Sequence, residues 1–139
     1  MLPEENQREI VARYLPIEDP QERLALIVEG ARRWPAYPEA LRDDAHRVQG
    51  CVSRVWLAGV VTDGLCQFQM DADSTLVKGL AGLLCAVYQG TRPVEAAAFS
   101  TTVLDELHLV DRLSPTRRHG LEQVSQALQA YAAAAVADE

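Results

Sequence analysis

Val52-Ser53-Arg54-Val55-Trp56-Leu57-Ala58-Gly59-Val60-Val61, then Thr62-Asp63-Gly64, then Leu65-Cys66-Gln67-Phe68-Gln69-Met70-Asp71 is the stretch that decides the fold. Residues 52–61 are rich in β-branched and aromatic side chains, which suit a pleated, half-buried surface and predict a strand from Val52 to Val61. Thr62-Asp63-Gly64 is a turn signal. Cys66 to Asp71 alternates apolar and polar at period two, the pattern of a strand with one wet face. The two strands are expected to pair antiparallel as a hairpin.

Helical periodicity lies on both sides of this hairpin. Upstream, Ile10, Val11 and Tyr14 share one side of a helix from Glu4 to Tyr14, which Pro16 ends. Asp19-Pro20 supplies an N-cap and a proline at the first helical position, with Glu22 in support. Leu24, Ile27, Val28 and Ala31 carry that second helix to about Arg33, where Trp34-Pro35-Ala36-Tyr37-Pro38 stops it. A polar connector runs from Glu39 to Gly50. Downstream, Asp73 and Ser74 are candidate N-caps for a helix that buries Leu76, Leu80, Leu83, Leu84, Val87 and Tyr88. Gly79 and Gly82 inside it imply close packing against the sheet, because each costs ~1 kcal/mol of helix propensity against alanine. Gly90 suits the position after its last turn. Short helices are expected over Pro93–Ala98 and Thr101–Leu109. Ser114-Pro115 opens a last helix to about Ala135, with Leu121, Val124, Leu128 and Tyr131 inward and Asp138 and Glu139 fraying. A third strand could use residues from Ala98 to Thr102. The order predicts an α+β fold, a small antiparallel β-sheet packed against several α-helices.

The bulk numbers exclude several functions. With 139 residues, 48% of them hydrophobic, the chain suits one domain with its own core. A net charge of −7 gives no electrostatic footprint for nucleic acid or an anionic membrane. No apolar run approaches the ~18 residues that span a bilayer. Residues 1–13 lack the basic and apolar regions of a secretory signal, so a cytoplasmic location is expected.

There are three cysteines, an odd number with no CxxC pair, which speaks against a disulfide framework. Cys66 alternates with Phe68 and Met70, and Cys85 lies within Leu83-Leu84-Cys85-Ala86, so both read as core. Cys51 differs. It follows Gly50 where a polar loop meets the first strand, and a thiol at such a junction can be reached by a partner. Taken alone, a lone cysteine beside a strand is most often a small buried hydrophobe. A zinc site built from Cys51, Cys66 and a histidine has little support from spacing. His108 and His119 read as surface or capping residues. Trp56 reads as core, with its indole N–H finding a local partner.

Three blocks together resemble the SufE/CsdE family of sulfur acceptors. They are Val48-Gln49-Gly50-Cys51 with Ser53 and Val55-Trp56-Leu57; Asp71-Ala72-Asp73-Ser74 with Val77-Lys78-Gly79-Leu80; and Leu113-Ser114-Pro115-Thr116-Arg117 with Gly120-Leu121. Val52 stands where the family often has Gln or Glu, and His46 where it often has Asn. The resemblance covers nearly the whole chain and implies a single SufE-like domain over residues 1–139, with a fold akin to the IscU-type scaffolds. It implies that the protein binds a SufS/CsdA-type cysteine desulfurase and stimulates it. Cys51 would accept persulfide sulfur and carry it towards an iron–sulfur assembly scaffold or another acceptor. The desulfurase would hold the pyridoxal phosphate; no lysine here has a motif that marks a Schiff-base site, and no cofactor is expected on this chain. The chain would be an accessory with a covalent intermediate, not an independent desulfurase.

Such transfer resembles thiol–disulfide exchange, so the accepting thiol needs a thiolate fraction near ambient pH. His46, Arg47 and Arg54 lie close in sequence and could stabilise the anion, and Gly50 would let the loop present the sulfur. An exposed persulfide is readily oxidised or reduced, so Cys51 is expected to rest against an apolar pocket and swing out on docking. Asp73, Lys78 and Arg117 are candidates for partner contacts or structural support. Asp73 could equally cap a helix, Lys78 sit on a solvated face, and Arg117 anchor the loop, since a cation near a helix N-terminus opposes the dipole preference. The rival readings are an iron–sulfur scaffold, which needs about three or four thiolates at one place, a thiol oxidoreductase, which needs a resolving cysteine, and a non-covalent desulfurase-binding module.

Overall fold

The computed structural model describes residues 1–138, so the expectation of fraying at Glu139 lies outside it. Its elements run α1 (Pro3–Tyr14), α2 (Pro20–Gly30), β1 (Val55–Thr62), β2 (Leu65–Ala72), α3 (Thr75–Tyr88), α4 (Pro93–Ala98), α5 (Val103–Glu106) and α6 (Pro115–Ala137). This is the α+β architecture expected from the order of the elements. Among the described residues, no helix is long and apolar enough to cross a membrane.

The hairpin turn does what its residues allow. Asp63 and Gly64 both have positive φ, 54° and 78°, the requirement of a two-residue type I′ turn. That turn sets the register, with Thr62 opposite Leu65 and Val55 opposite Ala72. One face of the sheet carries Val55, Cys66, Phe68 and Met70, all buried in the main core. The other face carries Trp56 and Ala58, which form a small second core with Tyr37 and Leu41 of the connector. Arg42 holds that connector down. Its guanidinium lies 4.7 Å from the centre of the Trp56 ring and 5.4 Å from that of Tyr37, and donates to Asp71 at 2.8 Å. Trp56 is buried as expected, with the Arg42 guanidinium stacked on its face.

Four expectations about the sheet and its flanks need correction. β1 begins at Val55, not Val52: Val52 is 81% exposed, and residues 51–54 are loop. There is no third strand among the described residues, and the stretch from Ala98 to Thr102 links α4 to α5. The outer edge of β2 is met instead by the chain after α3. Cys66 N–H donates to Thr91 O at 2.7 Å, Gly90 N–H to Cys66 O at 2.8 Å, and the Gln89 side chain bonds both the N–H and the C=O of Phe68. The helix expected over Thr101–Leu109 shrinks to α5, followed by a 3₁₀ turn over Val110–Arg112. Likewise α2 ends at Gly30, and a 3₁₀ turn continues it to Arg33.

The layers meet at α3, which is buried on nearly every side and packs against α1, α2, α6 and β2. Ser74 is its N-cap, accepting from Val77 N–H, so Asp73 is not the cap. Its C-terminal carbonyls are served from another element: Asn6 of α1 donates to Val87 O and Gln89 O. The glycines explain the close approach, with a different neighbour from the one expected. A Cβ on Gly79 would sit 2.8 Å from the Val28 Cα of α2, and one on Gly82 2.6 Å from the Trp34 Nε1 and 3.0 Å from Met70. Only Met70 belongs to the sheet. Arg23 of α2 is buried without a carboxylate and donates to the carbonyls of Tyr14, Leu15, Ile17 and Leu107, tying the ends of α1 and α5 to α2.

Gly79→Ala tests the helix contact. Propensity alone would favour alanine by ~1 kcal/mol, but the neighbour is main chain and cannot yield. The variant is expected to lose about 1–3 kcal/mol in urea unfolding, as overpacked cores do.

Candidate functional site

Cys51 lies in a short loop whose two stems are pinned. On the incoming side, Val48 N–H donates to Val55 O at 2.8 Å, and Arg47 bridges to Trp56. On the outgoing side, Asp73 clamps Arg54: its carboxylate accepts from Arg54 N–H at 3.1 Å and Nε at 3.2 Å, while its own N–H donates to Arg54 O at 3.0 Å. Gly50 turns the chain between the stems with φ 86°, a conformation that side chains rarely adopt.

The loop lays the thiol on the first turns of α6. Cys51 Sγ donates to Gly120 O at 3.2 Å. Beside it opens a cleft of about 130 Å³, lined by Cys51, Val52, Ser53, Val77, Ser114, Thr116, Arg117, Gly120 and Leu121. Val77 and Leu121 give it an apolar floor, and the hydroxyls of Ser53, Ser114 and Thr116 a polar rim. Cys51 is neither fully buried nor exposed. Burial pushes its thiol above the ordinary range, and the charge of Arg47 opposes that.

The candidates singled out around Cys51 therefore separate. Arg47 bears on the thiol through its charge. Arg117 lines the cleft, and among the described residues it has no carboxylate partner. Gly50 shapes the loop. His46 is turned to Asp43, with Nδ1 2.7 Å from Oδ1, and holds that carboxyl below its usual range. Arg54 is engaged by Asp73 and stands over the Trp56 ring, so both belong to the stem. Lys78 reaches Asp71 at 3.3 Å. The residues that sequence reasoning did not single out are Ser114, Thr116 and Gly120. Their signal was present in the third sequence block, but its fold back onto Cys51 is visible only in three dimensions.

Cys66 and Cys85 are fully buried, and neither lines the cleft. Burial raises both thiols, that of Cys85 to about 12. Among the described residues, no three His, Cys, Asp or Glu side chains converge as a metal site would require.

Known proteins resemble the chain along nearly its whole length. The family model described as "SufE: Fe-S metabolism associated domain" matches residues 8–132. An uncharacterized SufE-like protein of Rhizobium meliloti (strain 1021) is 26% identical over 129 residues, which are 89% of this chain and 92% of that protein. One of Synechocystis sp. is 30% identical over 129 residues, 93% of this chain and 81% of that protein. The solution structure of a hypothetical protein from Thermus thermophilus superposes with a TM-score of 0.79 over 95% of this chain and 96% of its own, at 21% identity, a likeness of fold.

Alkylation by iodoacetamide tests the setting of the thiol. In the native protein Cys51 is expected to react, and Cys66 and Cys85 to stay unmodified by mass. Removing the Arg47 charge raises the thiol further, so Arg47→Ala is expected to slow Cys51 alkylation at fixed, mildly alkaline pH.

Proposed function

The chain belongs to the SufE family of Fe–S metabolism associated domains, and on that premise we propose that it is a sulfur acceptor working through Cys51. Its donor is the persulfide of a SufS/CsdA-type cysteine desulfurase, which carries the pyridoxal phosphate. The Cys51 thiolate attacks the outer sulfur of the donor persulfide. A sulfur–sulfur bond forms at Cys51, the donor's own sulfur–sulfur bond breaks, and the donor leaves as a thiolate that takes up a proton. No oxidant or reductant is consumed. A second thiolate, on an assembly scaffold or another acceptor, repeats the exchange on the Cys51 persulfide.

The observation that carries this reading is the cleft beside Cys51. A transfer thiol needs access, whereas a stored persulfide needs shelter from oxidants and stray thiols. The Cys51 sulfur is half-buried, next to free space of about 130 Å³, on a loop with a glycine at its bend. Arg117 at the rim and the strongly exposed Val52 lie on the side from which a partner would approach, and they are the positions we assign to docking. A cluster scaffold is less well supported, because it takes about three or four thiolates at one place and this cleft offers one.

Mixing the protein with a SufS-type desulfurase, pyridoxal phosphate and L-cysteine provides the test. A mass increment of about 32 Da, one sulfur atom, is expected on the native chain and not on Cys51→Ser. Stimulation of desulfurase turnover is expected to be lost in Cys51→Ser even where binding persists. Full stimulation by that variant, with no adduct on the native chain, would replace the covalent reading by a purely conformational one.

A further inference from the structure

We propose that Gly120 is a positioning residue for the Cys51 sulfur: its carbonyl holds the thiol against α6, and loss of the thiol proton releases the sulfur towards the mouth of the cleft. This rests on the reading of Cys51 as the sulfur acceptor and adds the device that governs its exposure.

The geometry has two parts. Cys51 Sγ lies 3.2 Å from Gly120 O, close enough for the S–H to donate, and a helical carbonyl keeps a lone pair free for such a donor. The sulfur also packs closely on Gly120: a Cβ there would stand 3.5 Å from Sγ and 3.8 Å from both Cα and Cβ of Cys51, in ordinary contact without a clash. Further side-chain atoms beyond that Cβ would meet the thiol.

The contact suits one chemical form of the sulfur. A thiol donates to the oxygen. A thiolate has no proton to give, so a full negative charge then faces the negative end of a carbonyl dipole. In a persulfide the inner sulfur has no proton either. The empty, protonated carrier is therefore held inward, while the ionised form is pushed off the helix. Around the sulfur, the connector contributes the Arg47 charge, α6 contributes Arg117, and α3 contributes the apolar Val77. No carboxylate lines the cleft, and neither Arg118 nor His119 reaches it. The Gly120 carbonyl is then the negative group set directly against the ionised sulfur.

The test uses the free, full-length chain with ¹³C-carbonyl glycine, followed by NMR from about pH 6 to about pH 11, a range extended upward because burial raises this thiol above an ordinary one. The Gly120 carbonyl resonance and the amides of residues 50–53 are expected to shift with the midpoint of Cys51 alkylation, and the Gly120 shift to be flat in Cys51→Ser. A Gly120 carbonyl that stays flat in the native chain while Cys51 alkylation titrates overturns the proposal. Gly120→Val, which crowds the sulfur off the carbonyl, is expected to speed alkylation at neutral pH by about tenfold, because the thiolate is the reactive form. An unchanged or slower rate overturns it. A native chain that gains the sulfur adduct but shows a flat Gly120 resonance sinks the latch alone. One that shows the titration but never gains the adduct sinks the acceptor reading alone.

Discussion

A sheet of two strands cannot keep itself dry, and the rest of this structure is arranged around that constraint. An isolated hairpin is marginal in water, so both of its faces must be covered by something else. α3 covers one face while being enclosed by α1, α2 and α6. The connector covers the other with Tyr37, held by the Arg42 guanidinium stacked over Trp56. The close approach of α3 to α2 requires the missing side chain of Gly79. The small sheet and the buried helix are therefore one cooperative unit, and the reactive loop hangs from its rim.

That placement gives the cysteine loop its precision. A loop of so few residues would wander if its stems were free. Here Val48 continues the β1 ladder on one side, and Asp73 holds Arg54 through both main-chain and side-chain contacts on the other. The flexibility allowed by Gly50 is confined to the tip. The same arrangement sets two demands against each other at the sulfur. Partial burial shelters it but disfavours the thiolate, the form the proposed transfer requires, and Arg47 offsets only part of that penalty. Under the proposed function, a partner that displaces the loop outward would return the thiol to water and to a higher ionised fraction, coupling docking to activation.

The elements were legible because their signals are local. Asp63-Gly64 dictates its turn, Ser74 and Ser114 cap the helices that follow them, and the alternation of Cys66, Phe68 and Met70 names the buried face. Where the reading failed, a distant neighbour decided. Val52 has the composition of a strand residue, but the Cys51 turn leaves it without a partner strand. Residues 98–102 were free to be a strand, but Gln89 and the segment after it already occupy the edge they would have needed. The site shows the same division. Cys51 and Gly50 stood out in the sequence. His46 and Arg54 looked equally good there, and only their carboxylate partners, Asp43 and Asp73, show that their charges are engaged elsewhere. Gly120 lies 69 positions from Cys51, a separation over which sequence pattern carries no information about contact.

The Gln89 amide has a consequence for association between molecules. By donating to and accepting from Phe68 as a neighbouring strand would, while Gly90 and Thr91 bond Cys66, it denies a foreign backbone those positions of the β2 edge. On the opposite border, Arg47 and Val48 protect only the beginning of β1. The sheet is thus unevenly guarded: growth by strand addition, whether in a complex or in an aggregate, meets least obstruction at the later residues of β1, where Val60 and Val61 are exposed.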